Sequence, residues 1–163
     1  SLGREVANWM PGRFSIRFFL AAGAFCFCFW VGDLLRITGN RKTEQKYLRN
    51  VTLLYEGQKI KTRGLIDTGN HLTAPASGIP VHVATAELMK RLCPVVKGVM
   101  YVPYRCVGSS GILPAVRIDE MKVEGEKDSF VIPKPWIAIT KGSLSPCDEY
   151  EVLIQKNDEG MQV

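Results

Sequence analysis

The sequence predicts a mostly β domain preceded by an N-terminal transmembrane helix. Three observations carry this expectation: an uncharged run from Phe18 to Gly32, a change from helical to alternating apolar periodicity near Tyr47, and short alternating segments beyond it punctuated by Gly, Pro and Ser. A chain of 163 residues with 46% hydrophobic content has room for one domain plus an attachment, and enough apolar side chains for a sizeable core. The expected organisation is an N-terminal segment over 1–36 with a membrane span at 17–36, a linker over 37–46, a folded domain over 47–156 and a loose tail over 157–163.

The run from Phe18 to Gly32 is slightly shorter than the roughly 17 to 25 residues that span a bilayer. Arg17 and Arg36 can snorkel from its ends, and Trp30 suits a membrane interface. A buried core helix fits less well, because the run is apolar on every side and a small domain can hardly cover it. A secretory signal also fits less well, since no small-residue cleavage site precedes Gly32-Asp33-Leu34-Leu35-Arg36, which continues as helix. Arg36, Arg41, Lys42, Lys46 and Arg49 follow the run, against Arg4, Arg13 and Arg17 before it, which places the C-terminal part on the cytoplasmic side. The sequence starts at Ser1 rather than Met, as a fragment lacking earlier spans would.

A net charge of +5 fits a juxtamembrane basic segment near anionic lipid. It does not indicate nucleic-acid binding: Arg41-Lys42 is the only tight juxtamembrane basic pair, and no aromatic ladder interleaves with basic residues. Cys26 and Cys28 lie in the apolar run, and Cys93, Cys106 and Cys147 are scattered without a Cys-x-x-Cys pair, so reduced structural thiols are expected. His71 and His82 lack ligand partners at useful spacing. No metal and no cofactor is expected.

Within the domain, Val51, Leu53 and Tyr55 share a face, Gly57 permits a turn, and Lys59-Ile60-Lys61 leads toward Leu65-Ile66, which predicts a hairpin. Ile79 to Val83 reads as a strand, and Thr85 caps a short helix through Arg91 that stops before Pro94. Further strands are expected at Val99–Val107, Gly111–Ile118, Met121–Val123, Trp136–Thr140 and Tyr150–Gln155.

The hairpin feeds the sequence's most informative stretch, Leu65-Ile66-Asp67-Thr68-Gly69-Asn70. Asp-Thr-Gly is the triplet that places a catalytic carboxylate in aspartic proteases, and here it occurs once. The chemistry needs one carboxylate to deprotonate a water and a second, protonated one to polarise the scissile carbonyl. A protease built on this triplet therefore needs Asp67 from each of two chains. Leu65 and Ile66 would bury the strand, the Thr68 hydroxyl can bond across the dyad, and Gly69 lets the backbone turn closely beneath the carboxylates. An isolated Asp-Thr-Gly is also an ordinary tight turn. Gly108-Ser109-Ser110-Gly111 reads either as the tip of a mobile flap over a peptide or as a plain hairpin turn. Ile137-Ala138-Ile139-Thr140-Lys141-Gly142 reads as a second strand cradling the Asp loop.

Asp67-Thr68-Gly69-Asn70-His71-Leu72, with Pro75, Ser77-Gly78 and Pro80-Val81, then Val102-Pro103-Tyr104-Arg105-Cys106-Val107-Gly108 and Gly111-Ile112-Leu113, resemble the sporulation sigma-E factor processing peptidases of spore-forming Firmicutes. Ile137-Ala138-Ile139, Leu144-Ser145 and Glu149-Tyr150 extend the likeness, which covers residues 47–155, and the apolar run is similar in position to that family's last membrane span. The resemblance implies a membrane-anchored aspartic peptidase with a retropepsin-like barrel, acting as a homodimer in the mother cell. It implies an inactive pro-sigma factor as substrate, losing its N-terminal prosegment, and a forespore-derived protein as activator. Asp67 carries over as catalytic residue, supported by Thr68, Gly69 and Asn70. Asn70 stands where retropepsins have a small Ala or Ser, and Ala74 where an Asp is expected before Pro75. The alternative reading is a non-catalytic, membrane-anchored β-barrel binding module.

Overall fold

The periodicity change near Tyr47 is where the backbone changes character. Helix α1 (Ile16–Tyr47) gives way to β1 (Leu48–Tyr55), β2 (Gln58–Asp67), β3 (Val81–Thr85), helix α2 (Ala86–Leu92), β4 (Met100–Cys106), β5 (Ser109–Arg117), β6 (Glu120–Glu124), β7 (Ser129–Pro133), β8 (Trp136–Thr140) and β9 (Val152–Gln155). The structure, a computed structural model, describes the backbone of residues 16–156 and the side chains of 23–36, 39 and 45–156. The expected tail at 157–163 and the residues before 16 lie outside the described residues. The chain divides into two compact units, the first ending at Thr43 and the second starting at Glu44.

Along α1 the sequence expectations change in two respects. Residues 37–46, expected as a linker, are helical. Arg41, Lys42, Glu44, Gln45 and Lys46 are good helix formers, and Gly39 alone does not outweigh them. As for the transmembrane helix expected at 17–36, no helix among the described residues is long and apolar enough to cross a membrane. That segment begins in residues whose side chains lie outside the described ones. From Gly23 onward the apolar stretch meets Asp33 after roughly 15 Å of helix, half the ~30 Å hydrocarbon core. The described part nevertheless turns large apolar groups outward: Phe25 is 74% exposed, Phe29 69% and Trp30 63%.

In the second unit, the nine strands among the described residues join one sheet in the order β4-β5-β8-β3-β9-β2-β1-β6-β7. β1 and β2 meet through Glu56 and Gly57, both at positive φ (46° and 81°), as the tightest hairpin turns require. β2 and β3 are consecutive in sequence but not neighbours: β9 inserts between them, parallel to β2 and antiparallel to β3. The alternation of β1 puts Val51, Leu53 and Tyr55 into the first core, with Met121, Val123, Ile132 and Ile154. Leu88, Met89 and Leu92 of α2 complete that core, each side chain contributing about 1.5–3 kcal/mol by leaving water. The helix starts where expected, with Thr85 Oγ1 accepting from the Leu88 amide at 3.3 Å.

A second core gathers Val81, Val83, Val102, Ala115 and Ala138, and Ala74 from the loop after Asp67 joins it, with Leu72 packed against it. Three strand expectations are corrected. β3 starts at Val81 rather than Ile79, because the Ile79 carbonyl closes the preceding loop by accepting from Ala74 N at 2.9 Å. β7 was not expected, its alternation of Phe130 and Ile132 being too short to register alone. β8, expected to cradle the Asp loop, pairs with β3 and β5 instead, and β9 takes the place beside β2.

Candidate active site

β2 is pinned where it passes under the core. A Cβ on Gly64 would sit 2.8 Å from Val51 Cγ2 and 2.9 Å from Ile154 Cδ1, so only glycine fits against both neighbours without displacing them. Three residues later the strand ends at Asp67, half-buried, with its Oδ1 accepting from the Gly69 amide at 2.9 Å. This is an Asx turn, the carboxylate folding back on its own backbone. Among the described residues Oδ2 has no hydrogen-bond partner, so one oxygen is engaged and one is available. Thr68 and Gly69 are exposed at the tip. A Cβ on Gly69 would lie 3.4 Å from Asp67 Oδ1, an ordinary contact, so glycine here keeps the carboxylate's flank open without being sterically compelled.

Asn70 turns the other way, into the protein, and is 9% exposed. Its Oδ1 accepts from the Leu72 amide at 2.9 Å and from Gln155 Nε2 at 3.3 Å, while Nδ2 donates to the Val81 carbonyl at 3.3 Å. Gln155 Nε2 also donates to the Leu72 carbonyl at 2.8 Å, and the Gln155 amide donates to His82 Nδ1 at 2.9 Å. His82 and Gln155 are both buried. Sequence reasoning set His82 aside for want of a ligand partner and did not single out Gln155. The one available signal was a polar residue in the otherwise apolar run from Ile79 to Val83. Ala74, where an Asp was expected, is buried in the second core; its amide donates to Ile79 O and its carbonyl accepts from Gly78 N, both at 2.9 Å. A small side chain suits that enclosed turn.

The Gly108–Gly111 segment is placed differently from its expectation. The hairpin tip is Val107-Gly108, with Gly108 at φ 81°, and Ser109, Ser110 and Gly111 already belong to β5. A two-residue connection suffices once Gly108 supplies the positive φ. Residues 105–110 are all exposed, and a shallow depression of 380 Å³ opens at the tip between Arg105, Cys106, Gly108, Ser109 and Ser110. The opposite-strand register puts Val102 and Leu113 on the second-core side of the hairpin, and Tyr104 and Gly111 continue that face toward the tip. The loop after Asp67 feeds Leu72 and Ala74 into the same core, so hairpin and Asp loop share one apolar floor. Another depression, of 390 Å³ between Thr85, Glu87, Gly142, Ser143, Asp148, Tyr150 and Glu151, does not touch Asp67.

Comparison with known proteins decides the family. The family model described as sporulation factor SpoIIGA matches residues 4–157. The chain belongs to this family. Among curated proteins it is 26% identical, over 132 residues, to the sporulation sigma-E factor-processing peptidase of Priestia megaterium, a match covering 66% of this chain and 42% of that protein. It is 24% identical, over 154 residues, to a protein of Clostridium acetobutylicum named "Probable sporulation sigma-E factor-processing peptidase", covering 91% of this chain and 56% of that one. The chain thus spans about half the length of the curated relatives it matches. In this SpoIIGA-family chain, Asp67 is a half-buried carboxylate at the end of β2, with one oxygen bonded to the Gly69 amide.

Proposed function

We propose that this chain is the catalytic part of an aspartic endopeptidase that removes the N-terminal prosegment of an inactive sigma factor during sporulation. The observation that carries the reading is the single Asp67, held half-exposed at the end of β2 in a chain of the SpoIIGA family. The names of the two relatives supply the substrate class.

One carboxylate per chain is half of the required machinery, so the site is completed by Asp67 of a second copy in a twofold dimer with a retropepsin-like barrel in each half. Two carboxylates in hydrogen-bond reach share a proton. The ionised one takes a proton from water as the water oxygen adds to the scissile carbonyl carbon, while the protonated one gives its proton to the carbonyl oxygen, forming a diol. The diol collapses as the carboxyl that took the water's proton passes it to the nitrogen, the C–N bond breaks and a diol hydroxyl returns its proton to the other carboxylate, which restores the shared proton with no covalent enzyme adduct. Thr68, exposed beside Asp67, is free to reach the second copy, and the β4–β5 hairpin is the flap that closes over the peptide.

The outward Phe25, Phe29 and Trp30 support a membrane attachment through the segment around 17–36, with the β domain on the cytoplasmic side. Confinement to a surface raises local concentration, so a forespore-derived activator need shift dimer geometry only modestly to switch cleavage on.

The test is co-expression of the chain with a pro-sigma substrate, compared with Asp67→Asn. Asn keeps an oxygen that accepts from the Gly69 amide, so folding is retained while the dyad is lost. Processing that disappears in the variant supports the peptidase; processing that persists overturns the dyad. If neither chain processes the substrate with activator and flanking segments supplied, the non-catalytic binding module takes its place.

A further inference from the structure

Three separate segments meet beneath the Asp67 turn. β9 ends at Gln155, which stands opposite Asp67 in the parallel register; β3 opens with Val81 and His82; and the loop supplies Asn70 and Leu72. The β3–β9 ladder itself pairs only Val83 with Leu153 and Ala84 with Val152. Beyond it side-chain bonds join β9 to β3 and the loop: His82 Nδ1 accepts from the Gln155 backbone amide, and Gln155 Nε2 donates to the Leu72 carbonyl and to Asn70 Oδ1. An accepting Nδ1 fixes the ring proton on Nε2.

We propose that His82 and Gln155 are positioning residues for Asp67: a buried clamp in which the imidazole fixes Gln155, and the Gln155 amide holds the Asn70–Leu72 turn and through it the carboxylate at Gly69–Asp67. The proposal rests on the peptidase reading. Its logic is that two carboxylates from separate chains share a proton only if each turn is held to a fraction of an ångström, and a displacement of 1 Å can cost about 100-fold in rate. Backbone pairing reaches this turn only at its far end, where the Leu72 carbonyl accepts from the Val81 amide at 2.9 Å and Thr73 bridges Pro80; β2 itself ends at Asp67. Polar groups buried here carry the load, since leaving one unpaired in a dry interior is costly.

His82→Leu removes the acceptor and strands the Gln155 amide; Gln155→Met removes the side-chain donor at similar length; His82→Asn keeps an acceptor near the Nδ1 position. The full chain carrying each change is compared with the parent by urea unfolding, by the pH–rate profile of pro-sigma cleavage, and by hydrogen exchange at the Gly69 and Leu72 amides. The expected result for His82→Leu and Gln155→Met is a loss of about tenfold or more in kcat. It is accompanied by a shifted acid limb of the profile and faster exchange at those two amides, with the β6–β7 hairpin unchanged. His82→Asn recovers most of each. A cleavage profile of unaltered shape together with parental exchange at Gly69 and Leu72 overturns the clamp, since a general loss of folded chain lowers the rate without moving either. Faster local exchange in a protein whose parent cleaves nothing upholds the clamp and removes the peptidase reading instead.

Discussion

The ring of Tyr104 lies across Gly111. The two are directly opposed in the β4–β5 hairpin, and a Cβ added at Gly111 would fall 2.8 Å from Tyr104 Cε1 and 2.9 Å from its hydroxyl oxygen. The glycine leaves the space the ring fills, on the same side of the hairpin as the apolar floor that the Asp67 loop helps to build.

Gly111→Ala therefore evicts the end of a side chain rather than a piece of backbone. The ring can swing away, so stability should change by less than about 1 kcal/mol while the inner face of the hairpin is reshaped. If that face contacts the peptide, KM for pro-sigma cleavage rises with little change in unfolding midpoint. An unchanged KM would mean that the hairpin is a plain turn and not a flap.

Gly64 presents the opposite case. Its Cβ would meet Val51 Cγ2 and Ile154 Cδ1 in the middle of the first core, where both neighbours are themselves held. Gly64→Ala should destabilise the domain by about 1–3 kcal/mol in urea unfolding, despite the favourable loss of chain entropy that accompanies any Gly→Ala change. Because Gly64 and Asp67 share β2, residual activity per folded molecule should also fall.

At Asp67 two substitutions separate chemistry from structure. Asp67→Asn and Asp67→Ala both remove the carboxylate proposed to be catalytic, but only Asn keeps the acceptor for the Gly69 amide, which is bonded at 2.9 Å. Both should abolish processing, with Asp67→Ala about 1 kcal/mol less stable than Asp67→Asn. Equal stabilities would show that the Asx turn contributes nothing net.

These contrasts explain what was legible in the sequence. Leu65-Ile66 before Asp67 announced a strand ending in an exposed turn, because an apolar run followed by turn residues is a local signal, although both side chains are half-buried rather than buried. Thr85 announced α2 for the same reason. The β8 misplacement and the omission of Gln155 have a common origin: which strand lies beside β2 depends on a pairing across 85 or more residues of chain, and nothing local to Ile137 or Gln155 encodes it. His82 looked idle because its partner is a backbone amide on another strand. Residues 37–46 read as a linker on polarity alone, although Lys, Arg, Glu and Gln extend a helix once one is nucleated.

Cys93 offers a pH test unrelated to catalysis. It ends α2, buried, with Sγ donating to the Met89 carbonyl at 3.3 Å, and burial raises its thiol above the ordinary value. A raised pKa in the folded state means that the folded chain holds its proton longer than the unfolded one. Its stabilising contribution is complete below the ordinary thiol pKa and is lost as pH rises through the folded value. Stability should decline on the alkaline side in the parent protein and decline less in Cys93→Ala, measured by urea unfolding across the alkaline range. Parallel declines would assign the alkaline loss to other groups.

A dyad formed from two chains makes a quantitative prediction about mixtures. If parent and Asp67→Asn chains exchange freely, the dimers that carry two aspartates fall as the square of the parent fraction, so an equal mixture keeps about one quarter of the full activity. A site complete within one chain would instead retain about half, whatever the state of its neighbour. Because Asn at position 67 preserves the turn, the mixed dimers should assemble as readily as the parent, and the quadratic law should hold across the whole range of ratios at fixed total protein. A linear dependence would leave Asp67 needed but unpaired, and would move the second acid of the mechanism to a residue on the same chain.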